Sequence, residues 1–405
     1  MIKYNGNNAI NDWNLGDINI TKAYYNGSVC YEKMESGSTP PTPPTPTPSY
    51  SGQYLTFVAT ESGTFKFSGN SIDYSLDSGN TWTTLAIDTY SPTVTSGSKI
   101  MWKATLTPIE NEGIGRFSST ANFTVEGNAM SLLYGDNFSG QTSLSGKNYA
   151  FRNLFSGCTT LTSVENLSLP ATTLAERCYR AMFLNCTSLT TTPSVLPATT
   201  LASDCYTSMF QGCTALTTAP QLPATTLAES CYYRMFEGCT SLTTTPSLPA
   251  TTLAKSCYYQ MFGNCTSLTT APRLLASTLT DYCYERMFYG CTSLATAPVI
   301  DATTIPTETS GSCRNMFSGC TSLTTSPVLS AATLANFSYR YMFKYCTSLS
   351  AITCLATDIS AKNSTNGWAS GVAASGTFTK ASSMSSWTTG PHGIPSGWTV
   401  QDVTV

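Results

Sequence analysis

The chain has 405 residues, a formal net charge of −3, and only 11% charged residues, far below the usual quarter. No Lys/Arg run or basic patch stands out, which excludes an evident nucleic-acid footprint, and no stretch approaches the ~18 consecutive apolar residues of a membrane span. The surface is expected to consist mostly of Thr, Ser, Asn, Gly and Tyr.

The opening MIKYNGNNAINDWNLG has no basic segment followed by an apolar run, so no secretory signal is expected. Residues 1–35 read as a small β unit: ITKAYYNGSVCYEK sets Asn26-Gly27 between two β-prone runs. Asn-Gly is the strongest short hairpin signal, because both turn residues need φ > 0. A lone hairpin is marginal in water, so this one is expected to need a partner surface or other copies of itself, which predicts a homo-oligomer at the N-terminus. Tyr24, Tyr25, Asn26 and Gly27 are the candidate anchor residues. Residues 36–49 hold six prolines in fourteen residues and predict a semi-rigid polyproline II linker, about 40 Å long if extended.

Residues 50–127 alternate short β-prone runs with Gly/Ser/Asn turns, which predicts a small all-β, sandwich-like domain. Inside it, Ser75-Leu76-Asp77-Ser78-Gly79-Asn80-Thr81-Trp82 has the S-x-D-x-G-x-T-W pattern. Such a hairpin is expected to use Asp77 to tie down the turn and Trp82 as packing.

From 128 to 346 a motif M-F-x-x-C-T-S-L recurs eight times. Its cysteines, Cys158, Cys186, Cys213, Cys239, Cys265, Cys291, Cys320 and Cys346, are spaced by 28, 27, 26, 26, 26, 29 and 26 residues. A near-constant period of this length predicts a solenoid. Within one period, Leu227-Cys231-Met235 and Ala228-Tyr232-Phe236 form two ridges with a step of four. They read as one face of a three-turn helix, with Thr226 as N-cap, Glu229 at the capping-box position and Gly238 as stop. The remaining T-S-L-T-T-A-P predicts one short strand ended by Pro. The expected fold class is thus mainly β plus α/β: a β-hairpin, an all-β domain, and a solenoid of one strand and one helix per repeat. The cysteines read as small apolar filler. Two in one unit would sit about 12 Å apart along a helix, too far for a disulfide; a disulfide ladder between repeats is the alternative, set against a helix spacing of about 8–10 Å. No C-x-x-C pair exists and the chain has one His, so no metal or cofactor is expected. Residues 347–405 read as the cap of the solenoid.

Two ladders emerge as candidate ligand-binding positions. Tyr179, Tyr206, Tyr232, Tyr258 and Tyr284 share one repeat position on the apolar ridge and are expected in the core, whereas Tyr233, Tyr259 and Tyr341 fall off it. Thr217-Thr218, Thr243-Thr244 and Thr269-Thr270 lie on the predicted strand, one of each pair facing solvent. For catalysis there is little: His392 sits in a Gly390-Pro391-His392-Gly393 turn, and the acids are scattered.

The repeat resembles the atypical bacterial leucine-rich repeats of the BspA-like surface proteins, with Met-Phe for their Ala-Phe. That resemblance implies a non-enzymatic binding or adhesion scaffold. The segment AYYNGSVCYEKM resembles anchor segments at the starts of bacteriophage head and tail appendage proteins. Together they imply a virion protein, made in the host cytoplasm and released by lysis. It would be held to another virion protein by its N-terminal segment and would present the solenoid to a host-surface glycan or protein. The alternatives are a bacterial cell-surface adhesin with the same repeat and, more weakly, a glycan-cleaving enzyme built on two carboxylates about 5–10 Å apart.

Overall fold

A computed structural model describes residues 52–403 apart from Ser386, together with strands β1 (Lys22–Tyr25) and β2 (Ser28–Glu32). The chain divides into two units, Met1–Ser49 and Tyr50–Val405. In the first, β1 and β2 pair antiparallel, Tyr24 opposite Val29 and Tyr25 opposite Ser28. Asn26, Gly27 and the linker 36–49 lie outside the described residues, as do the side chains of Tyr24 and Tyr25.

The second unit opens with β3 (Leu55–Ala59), β4 (Phe65–Gly69), β5 (Ile72–Ser75), β6 (Thr83–Leu85), β7 (Lys99–Lys103), β8 (Gly115–Ser119) and β9 (Phe123–Asn128). The hairpin-like pair β4–β8 packs on a six-stranded sheet through Phe57, Phe65, Phe67, Trp102, Phe117 and Phe123. That sheet runs β10-β9-β3-β7-β5-β6, where β10 (Leu161–Ser168) belongs to the first repeat and pairs with β9 in parallel. The all-β region is therefore one end of the solenoid: its sheet continues into the repeats across residues 127 and 128. A stack of repeats must cover its terminal apolar face, and here the sandwich does so.

Each repeat contains no helix. The only α-helical segment among the described residues is the single turn α1 (Ser131–Tyr134). The stretch read as a helix is instead a chain of overlapping turns. In the Cys231 repeat, the N–H groups of Cys231, Tyr233, Met235, Glu237 and Cys239 donate to the carbonyl three residues back. Those of Ser230, Tyr232, Arg234, Phe236 and Gly238 donate to carbonyls of the next repeat. Every fourth residue is left-handed: Ser230 (φ 53), Arg234 (φ 54), Gly238 (φ 74). The same three positions recur as Arg177, Ala181, Asn185 and as Asp204, Ser208, Gly212. Thr226 is thus no N-cap, and Gly238 is the last of three left-handed residues, not a helix stop.

Spacing explains why helices do not form. Phe155, Phe183, Phe210, Phe236, Phe262, Phe288, Phe317 and Phe343 stack in one column with ring centroids 5.3–5.7 Å apart. That is close to strand spacing and well short of the 8–10 Å that adjacent helices occupy. A second column runs Phe151, Tyr179, Tyr206, Tyr232, Tyr258 and Tyr284 at 5.5–6.0 Å. On the other side of each coil, parallel bridges such as Val195–Gln221, Thr226–Thr252 and Leu274–Ile300 keep the copies in register. The expected strand is reduced there to such bridges. Full pairing returns at the far end, where β11 (Thr325–Leu329), β12 (Ala351–Cys354), β13 (Thr377–Lys380) and β14 (Thr399–Asp402) form a parallel sheet in that order. Residues 347–403 therefore add further coils, and Trp368 and Trp387 extend the aromatic core to that end.

The fifteen cysteines among the described residues are all free and buried. The coils lie closer together than helices would, 5.5 Å between the Phe210 and Phe236 rings, so helix separation is not what keeps these thiols unpaired. For the cysteine that closes the motif the sulfur has a use beyond size. Sγ of Cys186, Cys213, Cys239, Cys265, Cys291, Cys320 and Cys346 donates to the Phe carbonyl one coil back, at 3.0–3.1 Å. Each such carbonyl that also takes an N–H from its own coil, as Phe210 does from Cys213, thereby fills its second lone pair. At the other cysteine position size decides, since Ala150, Ser312 and Ser338 occupy it.

Two predictions arise here. Ser230→Gly should raise stability to urea by about 0.5–1 kcal/mol, because glycine relieves a left-handed residue, whereas in a helix the same change lowers it. Burial pushes the Cys213, Cys291 and Cys346 thiols up to about 12 and holds Cys239 and Cys265 well above the ordinary 9.0. The folded pKa exceeds the unfolded one, so the stability linked to these thiols is complete below pH 9 and is lost as pH rises toward 12. Iodoacetamide labelling mapped by mass spectrometry at pH 8 and pH 10 should leave them unmodified until the chain unfolds.

Candidate functional site

The Cys, Tyr, Met, Phe and Leu positions of the coils, such as Cys231, Tyr232, Met235, Phe236 and Leu242, are buried. The two residues between each buried pair lie on the outer side of the coil, some of them covered by neighbours, as Thr207, Gln260 and Glu285 are, and they differ from coil to coil. This outward turn face spans 148–158, 176–186, 203–213, 229–239, 255–265, 281–291, 310–320 and 336–346. It holds nine Lys and Arg against six Asp and Glu, a positive excess on a chain whose net charge is −3.

At one end of this face Tyr149 lies between two guanidinium groups, Arg152 at 5.8 Å and Arg177 at 5.6 Å from its ring, and Arg177 Nη1 donates to its hydroxyl at 2.8 Å. Asp204 pairs with Arg177 at 3.6 Å and with Arg180 at 3.4 Å. In the middle Tyr233 and Tyr259 stack at 4.6 Å and 6°, with Arg234 over both rings at 5.2 and 5.8 Å. Glu237 accepts from Gln211 at 2.8 Å and Gln260 at 2.6 Å, and burial raises its pKa. At the other end Arg340 lies 4.7 Å and Lys344 4.9 Å from the Tyr341 ring. The Arg340 hydrogen bond, then its charge, lowers the Tyr341 pKa.

Tyr233, Tyr259 and Tyr341 are thus half-buried on this face, while the Tyr179-to-Tyr284 column is core. The threonines lie apart from it. Both members of Thr217-Thr218, Thr243-Thr244 and Thr269-Thr270 are exposed, where one of each pair was expected to be, because irregular backbone replaces the alternation of a regular strand. Their hydroxyls partly serve the stack: Thr217 donates to the Thr190 carbonyl at 3.2 Å and Thr269 to that of Thr243 at 3.3 Å. Cys186, Cys213, Cys239, Cys265 and Cys291 are interior. The arginines were not singled out from the sequence. Their signal was present, since seven of the chain's nine arginines fall in the turn stretches, but a helix reading scatters them around a cylinder.

Asp77 holds its hairpin by accepting from Ser75 Oγ at 2.7 Å, Thr81 N–H at 2.9 Å and Thr81 Oγ1 at 2.7 Å, which lowers its pKa to about 2, the Thr81 hydroxyl contributing most. Trp82 is half-buried, donates to the Gly79 carbonyl at 3.1 Å and packs under Lys103 at 4.3 Å. His392 Nδ1 accepts the Gly367 N–H at 2.8 Å, so that nitrogen serves the last coils. No helix among the described residues is long and apolar enough to cross a membrane.

Comparison with known proteins adds no relative: no family model, no curated protein and no solved structure matches this chain.

Proposed function

We propose that the chain is a non-enzymatic adhesion scaffold of a bacteriophage particle, held by its N-terminal segment and using the solenoid to engage a host-surface polymer. The observation that carries the binding part of this reading is the division of labour within one repeat. Interior positions recur as Cys, Tyr, Met, Phe and Leu, while the turn-face positions beside them carry Arg, Tyr, Thr, Glu or Gln in different coils. A rigid stack with a varied, aromatic and charged outer row suits recognition of an extended polymer. The virion part rests on the resemblance of residues 23–34 to appendage anchors. Immunogold labelling with an antibody to residues 52–403 tests it: gold is expected on phage particles in lysates. Gold on intact bacterial cells and none on particles would replace it with a cell-surface adhesin.

A further inference from the structure

Along the turn face, one groove of about 540 Å³ is lined by Arg152, Arg180, Asp204, Ser208, Tyr233 and Arg234, among others. Its charges are not balanced. Arg177 is paired with Glu176 at 3.3 Å and with Asp204, which also pairs with Arg180 at 3.4 Å. Arg152 pairs with no carboxylate among the described residues. Its polar contact is a long bond from Nη1 to Asn111 Oδ1 at 3.5 Å, and its Nε is buried without a hydrogen-bond partner. Burial, and after it the positive charges of Arg180 and Arg177, lowers the Arg152 pKa, which marks an uncompensated positive field at this end of the groove. At the other end Tyr233 stacks face to face on Tyr259 at 4.6 Å and carries Arg234 at 5.2 Å from its ring.

We infer that this groove binds the carboxylate of an acidic sugar, so that the polymer recognised is a uronate-containing anionic polysaccharide. Such binding rests on the adhesion reading above and narrows it. A planar guanidinium without a carboxylate partner suits a carboxylate, which it can hold through two parallel N–H bonds. The Ser208 hydroxyl and the Gln211 side-chain carbonyl oxygen, on the same wall, suit sugar hydroxyls. A polyphosphate fits less well, because Asp204 stands in the groove and Glu237, close to Arg234 at 3.6 Å, stands beside it. A uronate has one charge per ring and leaves room for both.

The test is titration of the full chain, by calorimetry, with oligogalacturonate, a neutral malto-oligosaccharide and a single-stranded DNA of matched charge. Two variants are compared with the native chain: Arg152→Gln/Arg180→Gln in the groove, and Arg273→Gln as a surface control, its partner Asp301 lying 3.0 Å away on a different part of the coil. Far-UV circular dichroism and urea midpoints confirm that both variants fold. The expected result is oligogalacturonate binding that weakens at least ~10-fold in the double variant and not in the control, as loss of charge-assisted bonds requires. Equal binding of the neutral sugar, equal binding of DNA, no oligogalacturonate binding, or binding indifferent to the double variant would each overturn the inference. The adhesion reading is judged separately, by the particle labelling above, so a neutral ligand would sink the first and leave the second standing.

Discussion

Phe236→Ala is expected to destabilise the repeat region by about 3–5 kcal/mol, the usual cost of emptying a buried aromatic site. Phe236 has no exposed surface and stacks between Phe210 at 5.5 Å and Phe262 at 5.6 Å. The ring touches both neighbouring coils, so two interfaces weaken together, and in a stack each coil depends on its neighbours. Urea unfolding followed by circular dichroism should show the loss, and the transition should broaden as the two halves uncouple. Tyr233→Ala, one coil position outward, should cost below about 1 kcal/mol. Equal losses in the two variants would contradict the column.

Gly127→Ala should be comparably severe for a different reason. Gly127 has φ +82, in β9 opposite Leu167 of β10, where the sandwich joins the first coil. A Cβ there would fall on the carbonyl oxygen of Tyr54, and backbone cannot move aside as a side chain can. The left-handed strain alone costs about 1–2 kcal/mol. Gly140→Ala is the control, because φ there is +77 but nothing lies within 4 Å of the added carbon. Thermal unfolding should therefore show a small loss for Gly140→Ala and a loss at least twice as large for Gly127→Ala. Similar losses would mean that the seam is looser than its geometry.

The period of the repeats and their inward residues were legible in the sequence, because burial of Cys231, Tyr232, Met235 and Phe236 follows from pattern alone, whereas the coils beyond 347 lack the motif that marks the others. The conformation between them departs from the expected helix. Leu227, Cys231, Met235 and Cys239 step by four without drift. An α-helix advances by about 40° beyond a full turn at each four-residue step, so the row would have slid off one face within three steps. A strict period of four, with Gly or Asn before most of the closing cysteines, is the signature of repeated turns with a left-handed residue. The 3.6-residue template absorbs it over a short window. The candidate site suffered from the same error: Tyr233, Tyr259 and Tyr341 were picked out as off-ridge, yet Arg152, Arg180, Arg234 and Arg340 become one face only once the turns are stacked in register. Pairing of β9 with β10 was also beyond local pattern, since a parallel contact between two regions leaves no mark in either.

The claim that most needs testing is that the variable turn face is the recognition surface. Hydroxyl-radical footprinting of the chain, free and bound to purified host-envelope polysaccharide, addresses it directly. Protection concentrated on Tyr233, Tyr259 and Tyr341, with the exposed Thr217, Thr243 and Thr269 row and the Tyr90 side of the sandwich unchanged, is the predicted result. Protection of the threonine row or of the sandwich, with the turn-face tyrosines as reactive as in the free chain, would contradict it.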